Sequence, residues 1–158
     1  MDTLQVGVNE KRITALNDLI RINNDRYEGY TTAAKENRHA DLDILFKDFA
    51  HKSKNYALRL TEHVVKCAGS PETGTTNSGK LYRMWMDLKA VVTRDDRKAI
   101  LSSCEFGEDA ALKMYDKVMN DEELSFETEV TDLLRMQRSE LQMAHDKIKM
   151  LRENAKKI

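Results

Sequence analysis

The sequence predicts an all-α protein: a four-helix bundle with a short extra helix in the crossover between its second and third long helices. Three observations carry this. Charged residues are 34% of the 158 positions and proline occurs once, a composition that favours helix over strand. Apolar residues recur at helical spacing through four long stretches. The only proline and three of the six glycines crowd into residues 69–79 (Gly69-Ser70-Pro71 through Ser78-Gly79), a loop by composition that splits the chain near its middle. A chain of this length is the size of one ordinary domain, so residues 1–158 are expected to fold as one. It should bury roughly two-thirds of its unfolded surface and needs neither disulfide nor metal to do so.

The first long helix is predicted over about 10–37 and the second over 41–68. Only a few polar residues (Asn37, Arg38, His39) separate them, which makes an antiparallel hairpin. Asp41 suits the N-cap of the second helix, and Gly69 followed by Pro71 suits its stop. After the loop, Leu81, Met84, Trp85, Leu88, Val91 and Val92 define a short amphipathic helix over about 80–93. A third long helix should start near Asp95-Asp96, whose carboxylates suit the positive end of the helix dipole, and run to 119. Asn120-Asp121-Glu122-Glu123 breaks the pattern, and a fourth helix is predicted over 124–154. Trp85 reads as an anchor covering one end or side of the bundle.

Composition removes several function classes. The 26 basic and 27 acidic side chains balance to −1, without the cationic excess that neutralises phosphates, so no nucleic-acid partner is expected. Residues 105–132 carry ten acids against Lys113 and Lys117, and residues 133–158 carry seven bases against three acids. With bases gathered toward a helix C-terminus, this reads as a solvated-face pattern. No apolar run approaches the roughly 18 residues that span a bilayer, and the N-terminus shows no basic and apolar leader regions. No membrane association and a cytoplasmic location are expected. Cys67 and Cys104 fall on apolar faces of separate helices, too far apart in sequence for a metal knuckle or a redox pair, and read as small core residues in a reduced compartment.

Chemistry in a bundle lies on polar side chains that interrupt the apolar stripes. At 100° per residue, Asn23, Ser53, Glu108, Gln137 and Glu140 fall within the apolar arcs, with His63 and Lys147 at their margins and Glu105 on a flank. Two inward carboxylates invite comparison with a di-iron centre, built from a Glu on each of two helices and Glu-x-x-His on the other two. The one Glu-x-x-His, Glu36-Asn37-Arg38-His39, falls where the first helix gives way to its turn and not on a core-facing stripe; within the helices Asp48-Phe49-Ala50-His51 and Gln142-Met143-Ala144-His145 are the nearest approaches. A buried polar network is therefore favoured, with Glu108, Glu140, Glu105, His145 and His63 retained as metal-ligand candidates and iron as the first cofactor to test. No GxSxG, P-loop or GxGxxG is present, and Ser102-Ser103 have no local histidine to activate them. Met136, Met143 and Met150 recur every seven residues on one margin of the last helix; core packing is the simpler reading of such a row.

Several segments carry a resemblance. Leu16-Asn17-Asp18-Leu19-Ile20 with Tyr27-Glu28-Gly29-Tyr30, then Gly69-Ser70-Pro71, Trp85-Met86-Asp87-Leu88-Lys89, Cys104-Glu105-Phe106-Gly107-Glu108-Asp109-Ala110-Ala111-Leu112 and Ala144-His145-Asp146-Lys147-Ile148-Lys149 resemble, in order, a bacterial family of uncharacterised ferritin-like four-helix-bundle proteins, classed as a domain of unknown function. The resemblance spans about 13–152. It implies a ferritin-like bundle and no established reaction or cofactor, because fold alone does not carry function. The expected function is a non-catalytic structural or interaction protein, with bacterial stress physiology as the setting such bundles suggest. Homodimerisation through an exposed Met136/Met143/Met150 strip is its natural form. The rival is an iron-binding or iron-oxidising protein bridged by Glu108 and Glu140, with His63 or His145 as nitrogen ligand.

Overall fold

The computed structural model describes residues 3–76 and 79–155, with side chains over 7–76 and 83–155. Four long helices form: α1 (Thr3–Glu36), α2 (Ala40–Lys66), α4 (Arg97–Met119) and α5 (Thr128–Ala155). The short α3 (Gly79–Val91), continued by a 3-10 turn (Val92–Arg94), lies between α2 and α4. None of the described helices is long and apolar enough to cross a membrane. The side chain of Leu81, assigned to the short helix from its spacing, lies outside the described residues.

Cross-helix pairs set the directions. α2 returns antiparallel to α1; α4 runs antiparallel to α1, through Asn23 with Tyr115 and Arg26 with Glu108. α5 runs antiparallel to α4, through Asp116 with Arg138 and Glu105 with Arg152. The chain thus goes up, down, back along the whole bundle by one long crossover, then down and up. Residues 70–76 form the first part of that crossover and lie on α1 like a strap. Asn17 donates to the Ser70 carbonyl and accepts from the Glu72 amide, Arg21 pairs with Glu72 at 2.7 Å, Asn24 donates to the Gly74 carbonyl, and Asp25 accepts from Thr76. This strap explains why Asp25, pointing away from the bundle axis, is buried. Burial raises its carboxyl to about 6 against the donations from Thr76.

Two apolar clusters fill the interior, one at each end. One gathers Leu16, Leu19, Ile20, Leu60, Tyr115 and Leu134 among others; the second gathers Tyr30, Phe46, Phe49, Trp85, Ile100 and Ile148. Trp85 is the predicted anchor. Its ring meets Tyr30 edge-on at 5.3 Å and wedges between Gly29 of α1 and Gly107 of α4. A Cβ on Gly107 would stand 2.8 Å from the indole, and one on Gly29 would overlap it, so the short helix docks only because both facing positions lack a side chain.

The helix ends differ from expectation in instructive ways. His39, not Asp41, occupies the N-cap of α2; Asp41 sits in the first turn and takes Arg97 on both oxygens, at 2.9 and 2.6 Å, tying the α1–α2 turn to the start of α4. α2 stops at Lys66, two residues before expected. Ala68 takes the left-handed conformation (φ 62°), and Ala68 and Gly69 donate to the Val65 and Val64 carbonyls, a Schellman closure. Gly69 itself is required by Ile13, whose atoms would lie 2.8–2.9 Å from any Cβ there. Asp96 caps α4 by accepting from the Ala99 amide, as the dipole argument anticipated. α5 begins at Thr128 rather than 124, because Leu124 and Phe126 pack as non-helical anchors against the first apolar cluster.

Candidate functional site: a polar belt and an ionic seam

Between the two apolar clusters lies a belt of buried polar side chains contributed by all four long helices: Asn23, Arg26, Ser53, Glu108 and Gln137. Four of them were placed inward from their helical position; Arg26 was not. Its guanidinium donates to Glu108 Oε1 from Nη2 at 2.8 Å and from Nε at 3.2 Å, and from Nη1 to Ser53 Oγ at 2.7 Å. Tyr30 donates its hydroxyl to the same Glu108 oxygen and turns its ring toward the guanidinium, 5.6 Å from the centroid. Ser53 passes its own hydrogen to the Phe49 carbonyl. Burial works against the Arg26 charge, yet the adjoining Glu108 carboxylate outweighs it and the guanidinium pKa is raised. A second chain of bonds completes the belt: Asn23 donates to Tyr115 Oη, Tyr115 to Gln137 Oε1 at 2.5 Å, and Gln137 to the Tyr56 carbonyl. The thiol of Cys104 is pushed well up by burial and by the neighbouring Glu108, which leaves it a core residue without thiolate character. Cys67 is half-buried, and both cysteines are free thiols.

The five candidate ligands scatter. Glu108 is in the belt, bound to Arg26. His63 is buried on α2. Glu140, assigned to the core from its angular position, is exposed; Gln137, one turn earlier, takes the inward place, and Glu140 lies with Lys52, Met143 and Lys147 along a cleft of about 400 Å³ between α2 and α5, with Arg26 at its floor. Lys147 is likewise exposed. Burial, with the Glu140 carboxylate adding to it, raises the Tyr56 phenol well above its ordinary value and holds it protonated. Met136, Met143 and Met150 are exposed as well, Met143 by 69%, so the methionine row is surface and not core.

Glu105 and His145 do meet, on the seam between α4 and α5, and Asp109 joins them. Among the described residues this is one group of histidine and carboxylates whose ligand atoms all lie within 4.8 Å of one another. The seam is ionic along its length: Arg138 pairs with Asp116, His145 with Asp109 and Arg152 with Glu105. The acid-rich and base-rich stretches read as solvated faces thus pair in part across this seam. Two signals were available for what sequence reasoning missed. Arg26 lies on the helical row of Leu19, Ile22 and Ala33, all buried, and Arg138, His145 and Arg152 are spaced by seven residues like the methionines beside them.

No curated protein matches the chain. Residues 11–121, from the first turns of α1 through the end of α4, match the profile of a family described as a domain of unknown function, DUF2383. That match covers more than half of the chain and includes Arg26, Ser53, Glu108 and the strap. This helical bundle belongs to the DUF2383 family.

Proposed function

We propose that the chain is a ferritin-like bundle without an oxidation centre, a non-catalytic structural or interaction protein that works through its outer surface, in the bacterial stress setting its family resemblance suggests. The up-down-down-up path with one long crossover is the connectivity of ferritin-like bundles and supports the assignment. A di-iron centre in that fold needs a carboxylate from each of two helices and Glu-x-x-His from the other two. The belt here offers one carboxylate, Glu108, with amides and hydroxyls as its other oxygens, and these do not fit such a centre. The carrying observation is Arg26: a guanidinium of fixed charge, 1% exposed, already neutralises Glu108 through its Oε1, so the core carboxylate needs no metal for its charge.

Self-association through the Met136/Met143/Met150 strip is the form of interaction this surface supports best. Flexible thioether side chains repack readily against a second apolar face. Two measurements test the reading. Oxygen uptake by the protein after anaerobic Fe(II) addition should match that of buffer; catalytic uptake would overturn the non-catalytic assignment. Sedimentation at tens of micromolar should show a dimer that Met143→Lys dissociates, and a monomer would remove the self-association.

A further inference from the structure

The α4–α5 seam has three rungs, and they are not equivalent. The outer two are arginines, whose charge is permanent. The middle rung is His145, with carboxylate oxygens at both ring nitrogens: Asp109 Oδ1 lies 2.8 Å from Nε2, and Asp146 Oδ1 lies 3.1 Å from Nδ1. A neutral imidazole has one N–H and one lone pair. It can donate to only one of these oxygens, and the other nitrogen then faces a carboxylate lone pair to lone pair. Such an arrangement calls for a positive charge at that nitrogen, supplied by a proton or by a metal ion.

The surroundings fit the metal. Asp146, itself held by Gln142 at 3.0 Å, stands where metal-ligating histidines find the outer carboxylate that fixes their tautomer and aims the other nitrogen. With Nδ1–H donated to Asp146, Nε2 is aimed at Asp109. Glu105 precedes Asp109 by four residues and therefore projects from the same face of α4. The ligand atoms of Glu105, Asp109 and His145 lie within 4.8 Å of one another. Ligand atoms around a tetrahedral ion held at about 2.1 Å stand about 3.4 Å apart, so side-chain rotations that draw them in by an ångström or so complete the set. Arg152 donates to Oε1 of Glu105, and the second oxygen is the one that would turn to the ion. Three carboxylates surround this rung against the guanidinium of Arg152 and the ammonium of Lys149 near Asp146, which leaves it net negative before any ion binds. All three ligands are half-buried, shielded but open to entry.

We infer that Glu105, Asp109 and His145 form a divalent-cation site on the outside of the bundle, suited to a zinc-class ion by its one nitrogen and two oxygen donors. Its ligands come from both helices of the C-terminal hairpin, so the ion staples α4 to α5. The site is separate from the Glu108 belt, whose carboxylate points the other way into the core.

Calorimetric titration of Zn²⁺ into chelator-stripped, untagged protein at pH 7 tests this. The expected result is one zinc per chain with a Kd on the order of 10 μM. His145→Ala and Asp109→Asn should each weaken binding by at least about tenfold, while His51→Ala leaves it unchanged. Zinc binding absent below millimolar concentration, binding unaffected by both site variants, or binding weakened equally by His51→Ala would overturn the assignment. Independently of any variant's folding, zinc should move the backbone amide signals of Glu105, Asp109 and His145 in the wild-type protein. Shifts centred on His39, His51 or His63 would place the ion elsewhere and refute the site.

Discussion

Arg26 and Glu108 can be removed singly or together, and the two experiments should give opposite impressions of the pair. Their side chains are 2% and 0% exposed and joined at 2.8 Å. Glu108→Gln removes the negative charge and strands a guanidinium that cannot shed its own. Arg26→Met strands a carboxyl, which retains the Tyr30 donor and can take up a proton, so it should be the milder change. Breaking a buried pair from one side costs about 3–5 kcal/mol, a large part of the roughly 5–15 kcal/mol that holds a domain together. Combining Arg26→Met with Glu108→Gln leaves no charge in the belt and keeps an oxygen for the Tyr30 hydroxyl. Buried pairs replaced as a unit are often neutral or stabilising, so the double variant should lie within about 2 kcal/mol of wild type and above either single variant. Urea unfolding followed by circular dichroism at pH 7 measures all four proteins. With a slope of about 1–3 kcal/mol per molar urea, each single variant should lose roughly 1 M or more of midpoint. A double variant that loses the sum of the singles would refute the reasoning, because it would mean the two groups do not neutralise one another.

Three further outcomes follow from the packing. Gly29→Ala should lower the melting temperature, since overpacking against Trp85 costs about 1–3 kcal/mol and exceeds the gain of about 1 kcal/mol from helix propensity; Gly7→Ala, with nothing within 4 Å of its Cβ, should raise it, and the opposite order in thermal melts would contradict the notch assigned to Gly29. Ala68→Gly should stabilise by about 1 kcal/mol, since it relieves the left-handed backbone of the α2 closure, and an unchanged melting temperature would argue against strain there. Asp25 has a folded-state pKa of about 6, above its ordinary value of 3.8, so the folded state gains the proton first as pH falls. Its contribution to stability therefore grows from pH 7 toward 5, and the urea midpoint of wild type should rise over that interval more than that of Asp25→Asn; equal slopes would show that Asp25 does not titrate against the strap.

Periodicity carried the helices, because a 3.6-residue rhythm is local and long stretches average out its noise. It also placed Asn23, Ser53, Glu108 and Gln137 inward correctly. The errors came where a neighbouring helix decides. Glu140 falls within its arc by position and faces an open cleft instead, because α2 and α5 do not close over it. Arg26 lies about 90° from the centre of the α1 arc and is buried, because α4 does close over it with Glu108. Which flank of a helix is covered depends on the neighbouring helix, and a single helical wheel holds no information about neighbours. Asp25 illustrates the same limit: only the path of residues 70–76 makes its outward position an interior one. The cation cluster was half legible, since Glu105 and His145 were both named, but Asp109 joins them only through the register of α4 against α5.

The central claim is that the protein's own guanidinium, and not a metal, neutralises Glu108 in the core. Metal content by mass spectrometry, after anaerobic Fe(II) incubation and desalting, tests it most directly on wild type, Glu108→Gln and His145→Ala. The account predicts no iron that depends on Glu108, with any retained ion lost in His145→Ala and therefore belonging to the α4–α5 seam. About two irons per chain that vanish in Glu108→Gln and persist in His145→Ala would contradict it.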